Sequence, residues 1–253
     1  MQQETIVIAA RFRGPPTSGN GGYVCGTFGE LLTHGNHALP GQRAAQVTLR
    51  SPIPLDKPME VRRENQGLSI HDGETLIAQA QIVELPLDVP MPPSFDEAHA
   101  ARHISPAYAR NASRHFPDKI GFHPLCFCCG VEHEEDGLHV TAAPLRNNEI
   151  VAAAWKTQLH WADEAGNVPA RFLWTALDCP GQFAFYAGGI RTGMLGQLAA
   201  RIEHPVPAGE RCVVTGWRIG VEGKRHYAGT AVFDQRGRLC AYAKAIWVGR
   251  RDD

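Results

Sequence analysis

The sequence predicts an α+β protein built from two copies of one unit, and three observations carry that reading. The order strand, helix, run of strands is met twice along the 253 residues. Segment 52–61 (PIPLDKPMEV) finds a counterpart in 205–214 (PVPAGERCVV), at an offset of 153 positions. Between the copies, LPLDVPMPP at 85–93 places four prolines in nine positions. Neither a helix interior nor a central strand accepts such a run, because proline has no N–H to donate and its ring crowds the preceding turn. The units are therefore expected at 1–85 and 137–253, joined by a Pro/Cys-rich connection at 86–136 that carries one helix.

The elements follow in order. An opening strand (5–12) leads through a Gly-rich turn (17–22) into an apolar helix (23–32), then strands at 44–49, 59–63, 67–70 and 75–85. Ser94 is placed to cap a helix that runs to His103, since its hydroxyl can accept an N–H of the first turn. Strands at 138–143 and 149–159 come next, then a helix from Pro169 and long strands at 211–221, 226–234 and 239–248. Tight polar turns, His71-Asp72-Gly73-Glu74 in one copy and Asp234-Gln235-Arg236-Gly237 in the other, close the corresponding hairpins. Along 227–233 and 241–247 small or polar residues alternate with larger ones at period two, so one sheet face would let a helix lie close.

Composition narrows the function classes. With 43% hydrophobic and 20% charged residues the chain has the balance of a packed globular protein. Twenty-five basic against 26 acidic residues leave a formal charge of -1, so no global field favours nucleic acid or an anionic membrane. No apolar run approaches the roughly eighteen residues that a spanning helix needs, and the first residues lack the basic flank and apolar core of a secretory leader. The expectations are a cytoplasmic location and neither a nucleic-acid nor a membrane partner. Seven cysteines, an odd number, are read as reduced, with Cys25, Cys179, Cys212 and Cys240 as buried packing residues.

The turn and flanking strands at 231–248 (AVFDQRGRLCAYAKAIWV) resemble the last two strands of the hotdog fold, and with the duplicated element order the chain resembles tandem-hotdog, acyl-CoA thioesterase-like proteins. The resemblance implies a double hotdog: two curled antiparallel sheets, each wrapping a central helix, fused as a pseudo-dimer. It also implies an acyl-CoA-type substrate, no resident cofactor, and a fused pair able to dimerise again. In that family the helix starts at a turn that is commonly His-Gly-Gly, with an acid nine residues later. The chemistry suits thioester hydrolysis. Free N–H groups at a helix start, reinforced by its dipole, polarise a carbonyl, and a carboxylate attacks or activates water.

Each copy retains a different part of this pattern. Asn20-Gly21-Gly22 resembles the turn, with Asn in place of His, but Gly29 stands nine positions later and Glu30 one further, rotated by roughly 100° around the helix. In the second copy Asp178 lies nine after Pro169, in register, while Pro169 has no N–H to offer. Because hotdog units pair helix start against acid, one composite site is expected: Asp178 as base or nucleophile, Asn20 and Gly22 at the oxyanion turn with the Gly22 and Tyr23 N–H groups polarising the carbonyl, and Ser18, Gly21 and Tyr23 against the substrate. The opposite pairing of Pro169 with Glu30 is expected to be vestigial. Arg236 and Arg238, near the hairpin tip, are candidates for CoA phosphates, although such charges are usually just solvated.

Cys126-Phe127-Cys128-Cys129-Gly130 resembles a Cys-Phe-x-Cys-Gly stretch at the entry to such hotdog halves. Cys126 and Cys129 have zinc-knuckle spacing, with His133 and His139 following, but a second pair at defined spacing is lacking. No metal is expected. Cys179 adjoins the acid without a histidine at motif spacing, and it reads as a packed thiol. Besides the hydrolase, a non-catalytic acyl-ligand binding protein, a hydratase and a zinc-stabilised interaction module remain open.

Overall fold

The computed structural model describes residues 4–36, 39–108, 123–133 and 136–249. Strands β1 (Thr5–Val7), β2 (Arg43–Leu49), β3 (Pro58–Glu64), β4 (Gly67–Asp72) and β5 (Thr75–Glu84) accompany helix α1 (Gly21–Thr33). Helix α2 (Phe95–Ala101) follows, then β6 (Ala143–Leu145), β7 (Ile150–Lys156), α3 (Ala170–Ala176), α4 (Cys179–Ala187), β8 (Met194–Ile202), β9 (Arg211–Glu222), β10 (Arg225–Phe233) and β11 (Leu239–Val248). β3 and β9 begin at Pro58 and Arg211, 153 positions apart.

All these strands join one antiparallel sheet in the order β1-β3-β4-β5-β2-β8-β11-β10-β9-β7-β6. From one edge the order is β1-β3-β4-β5-β2; from the other, after short β6, it is β7-β9-β10-β11-β8. In place of the two curled sheets expected, the strands form one continuous sheet. β2 and β8, each the last strand of its half, pair from Ala45↔Ala200 to Thr48↔Gln197. That pairing satisfies two rows of backbone groups that would otherwise form open edges.

β8 has no counterpart in the sequence reading. Its Gly-Gln-Leu-Ala-Ala-Arg run is made of residues that are poor strand signals, and its place between β2 and β11 makes it a strand nonetheless. Residues 138–142 lie outside the ladder, and His139 within them turns at φ 53°. The helix that begins after Pro169 ends at Ala176, four residues before Pro180. Asp178, at φ -81° and ψ -81°, leaves helical geometry, and Pro180 falls in the first turn of α4, where its missing N–H costs no bond.

Helices α1, α3 and α4 share one face of the sheet with the Cys126–Cys129 loop. Trp155, Trp174, Phe28, Phe127, Phe183 and Phe185 are all buried in that core. Close helix packing depends on missing side chains. A Cβ at Gly22 would stand 2.7 Å from the Trp174 carbonyl oxygen, and at Gly26 2.8 Å from Arg171 Cα, so the Gly22-Gly26-Gly29 stripe of α1 lies directly on α3. Likewise Gly216 on β9 admits the Pro180 carbonyl, which a Cβ would meet at 2.4 Å.

The opposite face carries Trp217, Phe233 and Tyr242, covered by Leu85, Leu87 and Val89 of the proline-rich segment. α2 covers Ala152 and Val213 beside it. Ser94 caps α2 in a reciprocal capping box with Glu97, and α2 ends at Ala101, with a single 3₁₀ turn carrying the chain on past His103. No described helix is long and apolar enough to cross a membrane.

Candidate active site

α1 begins at Asn20 because that side chain does the work of an N-cap: its Oδ1 accepts the Tyr23 N–H at 2.9 Å. The amide nitrogen is left to donate, and it does so to Asp178 Oδ2 at 2.9 Å and towards Cys126 Sγ at 3.6 Å. The Gly22 N–H donates to the same Asp178 Oδ2 at 2.8 Å. Asp178, which follows α3, therefore lies against the start of α1. Chain geometry explains how it gets there. The break between α3 and α4 turns Asp178 out of the helical ladder, and the absent Gly22 side chain leaves room for it, since a Cβ there would sit 2.6 Å from Asp178 Cβ.

Asp178 is 2% exposed, and its Oδ1 is buried without a hydrogen-bond partner. Burial pushes its carboxyl up to about 7, opposed by the hydrogen bonds from Gly22 and Asn20. Among the described residues no cation pairs with it, which is an expensive arrangement for a purely structural carboxylate. It borders a cavity of about 650 Å³, lined also by Ser18, Asn20, Gly21, Gln182 and Trp247.

The other expected residues divide. Gly21 lines this cavity, and its N–H donates to no group among the described residues. Ser18 also lines it, with Oγ accepting the Ile53 N–H at 2.9 Å. Tyr23 does not reach it. Its ring stacks on Phe12 at 3.8 Å and meets Phe127 edge-on, so only its backbone belongs to the turn. The Tyr23 and Gly22 N–H groups, expected to be free for an oxyanion, are both committed within the protein.

Arg236 and Arg238 lie at the Leu239 end of β11, whereas Trp247 and Val248, at the other end, line the cavity. Arg238 is clamped to Asp234, whose carboxylate accepts the N–H groups of Arg236 and Arg238 and the Arg238 Nε–H. These arginines shape the hairpin turn, and Arg50, which the sequence did not single out, is the arginine that lines the cavity among the described residues.

Three buried cysteines adjoin Asp178. The Sγ atoms of Cys126, Cys129 and Cys179 lie within 4.8 Å of one another. Hydrogen bonds from the Cys129 and Cys179 thiols hold Cys126 well below the usual thiol range, and the same contacts with Cys126 push Cys129 and Cys179 up. The histidines considered as partners are engaged elsewhere: His133 Nε2 contacts the Arg11 carbonyl and His139 Nδ1 the Gly130 carbonyl, each at 2.8 Å.

The opposite helix start follows the same plan with different chemistry. Pro169 caps α3 without a side-chain bond, and Glu30 Oε1 accepts the Arg171 N–H at 3.1 Å. The Arg171 guanidinium then neutralises Glu30 through Oε2, also at 3.1 Å.

Neither a protein-family model nor a curated protein matches the chain. Solved structures do. A putative thioesterase from Novosphingobium aromaticivorans is similar over 97% of this chain and 94% of its own, with 13% identity and a TM-score of 0.63. A protein of unknown function with hot dog fold from Alicyclobacillus acidocaldarius matches over 100% and 94%, with 11% identity and a TM-score of 0.60. A tesB protein from Mycobacterium avium subs paratuberculosis matches over 92% and 87%, with 9% identity and a TM-score of 0.56. With the strand order and helix placement above, these likenesses over nearly the whole chain show that this protein has the hotdog fold found in thioesterase-superfamily structures.

Proposed function

We propose that the chain is a thioester hydrolase acting on an acyl-CoA-type substrate at one composite site between its two halves, which behave as a fused and diverged hotdog pair. The observation that carries this reading is the Asp178 carboxylate, buried beside a cavity and aimed at the Asn20–Gly22 helix start. A cavity of about 650 Å³ falls within the range of small-molecule sites, roughly 300–1,000 Å³, and its largely apolar wall suits an acyl chain.

In this mechanism the acyl carbonyl accepts the Gly21 N–H, the free donor of the turn, whose position at the positive end of a 13-residue helix favours charge developing on oxygen. Asn20 and Gly22 hold the carboxylate in place. Asp178 takes a proton from a water whose oxygen bonds to the carbonyl carbon. As the tetrahedral intermediate collapses the C–S bond breaks, and the proton passes to the departing thiolate. CoA is part of the substrate and no resident cofactor enters the scheme.

The commitment of the Gly22 and Tyr23 N–H groups favours a second reading, a non-catalytic acyl-ligand binding protein. Following the thioester absorbance of a panel of acyl-CoAs with purified protein separates the two. The hydrolase reading expects turnover that falls by about 10²–10⁴-fold in Asp178→Asn, with the circular dichroism spectrum retained. Saturable binding in calorimetry without any turnover would establish the carrier instead.

A further inference from the structure

We propose that Cys126, Cys129 and Cys179 form a three-thiolate site for a zinc-type, thiophilic divalent cation, with the fourth coordination position towards the cavity. The inference concerns metal binding and does not depend on the hydrolase reading. Tetrahedral zinc with Zn–S bonds of about 2.3 Å sets its sulfurs about 3.8 Å apart. Cys126 and Cys179 Sγ already stand at 3.9 Å, and all three sulfurs fit within 4.8 Å. All three residues line the cavity, which leaves one side open as in sites that bind water or substrate on the metal.

The backbone around the thiols is organised for this. The Cys126–Cys129 loop closes on itself through the Gly130 N–H to the Cys126 carbonyl, at 2.8 Å. It turns so tightly that a Cβ on Gly130 would meet Pro124 O, Cys126 N and Cys126 O within 2.4–2.5 Å. Phe127 and Cys128 pin the loop to the fold through backbone bonds with Arg13, Leu138 and Val140. Cys179 arrives from a separate direction as the first residue of α4. Asn20 Nδ2 approaches Cys126 Sγ from outside the trio, the arrangement of an outer-shell donor.

Ordinary packing does not account for the grouping. Cys128, in the same loop, turns away and donates to the Thr175 carbonyl at 3.0 Å. In addition, the orphaned Asp178 Oδ1, one residue before Cys179, leaves a buried acceptor unsatisfied next to three potential metal ligands.

The test is a Co2+ titration of the untagged full chain, stripped with a chelator and reduced with a phosphine. The expected result is a thiolate-to-cobalt charge-transfer band that saturates at one ion per chain. It should be lost in Cys126→Ser, Cys129→Ser and Cys179→Ser and kept in Cys128→Ala. Should a serine variant fail to fold, X-ray absorption on the cobalt-loaded wild-type chain counts the sulfurs directly, with three expected. No band and no retained metal, a band that survives in Cys179→Ser, or fewer than three sulfurs would overturn the site. Because the readout is coordination, a chain that turns over no thioester can still pass it, and one that does can still fail.

Discussion

The starts of α1 and α3 share a backbone device and differ in one side chain. At each, a carboxylate from the other half accepts an N–H from the second residue of the helix, Gly22 bonding Asp178 at 2.8 Å and Arg171 bonding Glu30 at 3.1 Å. At Glu30 the residue that supplies the N–H also supplies a guanidinium, so the charge is neutralised at a solvated position. At Asp178 the donor is glycine, so no guanidinium accompanies the N–H, and one buried carboxylate oxygen has no hydrogen-bond partner among the described residues. The hollow beside Ala170 measures about 290 Å³, against about 650 Å³ beside Gly21. The two starts thus differ in what stands beside the carboxylate: a counter-charge at Glu30 and an open cavity at Asp178.

The largest effect is expected where that space is filled. Gly22→Ala places a methyl 2.6 Å from Asp178 Cβ and 2.7 Å from the Trp174 carbonyl, both on rigid backbone or next to it. Overpacking of this kind should cost about 3 kcal/mol in urea unfolding and displace α1 from α3. A neutral Gly22→Ala would break the comparison at its root. Asn20→Ala comes next. It removes the α1 cap and one of the two donors to Asp178, for an expected loss of about 2 kcal/mol. Pro169→Ala at the matching position caps nothing by side chain and should change the same unfolding midpoint little. Equal effects at the two positions would show that the starts are not differentiated as described.

Much of this contrast was legible in the letters. Asn20-Gly21-Gly22 carries a cap and two missing side chains, Asp178 sits in register with Pro169, and the hairpins announce themselves through alternation and polar turns. What stayed hidden depended on partners distant in sequence. Arg171 could be seen to neutralise Glu30, and Cys179 to join Cys126 and Cys129, only once α1 lay on α3 and the loop on α4. The same holds for the Gly22 N–H, which is lost to the very acid it was expected to assist. β8 escaped because its residues favour a helix locally, while pairing with β2 and β11 on both sides decides otherwise. Arg238 misled for the opposite reason: a charge near a hairpin tip carries no mark that distinguishes a ligand for phosphate from a clamp on Asp234.

The smallest effect sharpens the comparison from its quiet side. Glu30→Gln keeps a side-chain oxygen able to accept the Arg171 N–H and removes only the charge. The pair is partly solvated, the Arg171 side chain being 41% exposed and that of Glu30 21%, so screening limits what the ion pair contributes. Chemical unfolding should show a loss of no more than about 1 kcal/mol, shrinking as salt is raised. Thioester turnover should match the parent chain, because Glu30 borders neither the cavity nor Asp178. If Glu30→Gln instead removed turnover as Asp178→Asn is expected to, both helix starts would be at work and the asymmetry would be one of appearance. If it cost several kcal/mol, Glu30 would be holding α1 against α3, and the second start would have been retained for architecture, with the glycine start free to keep the chemistry.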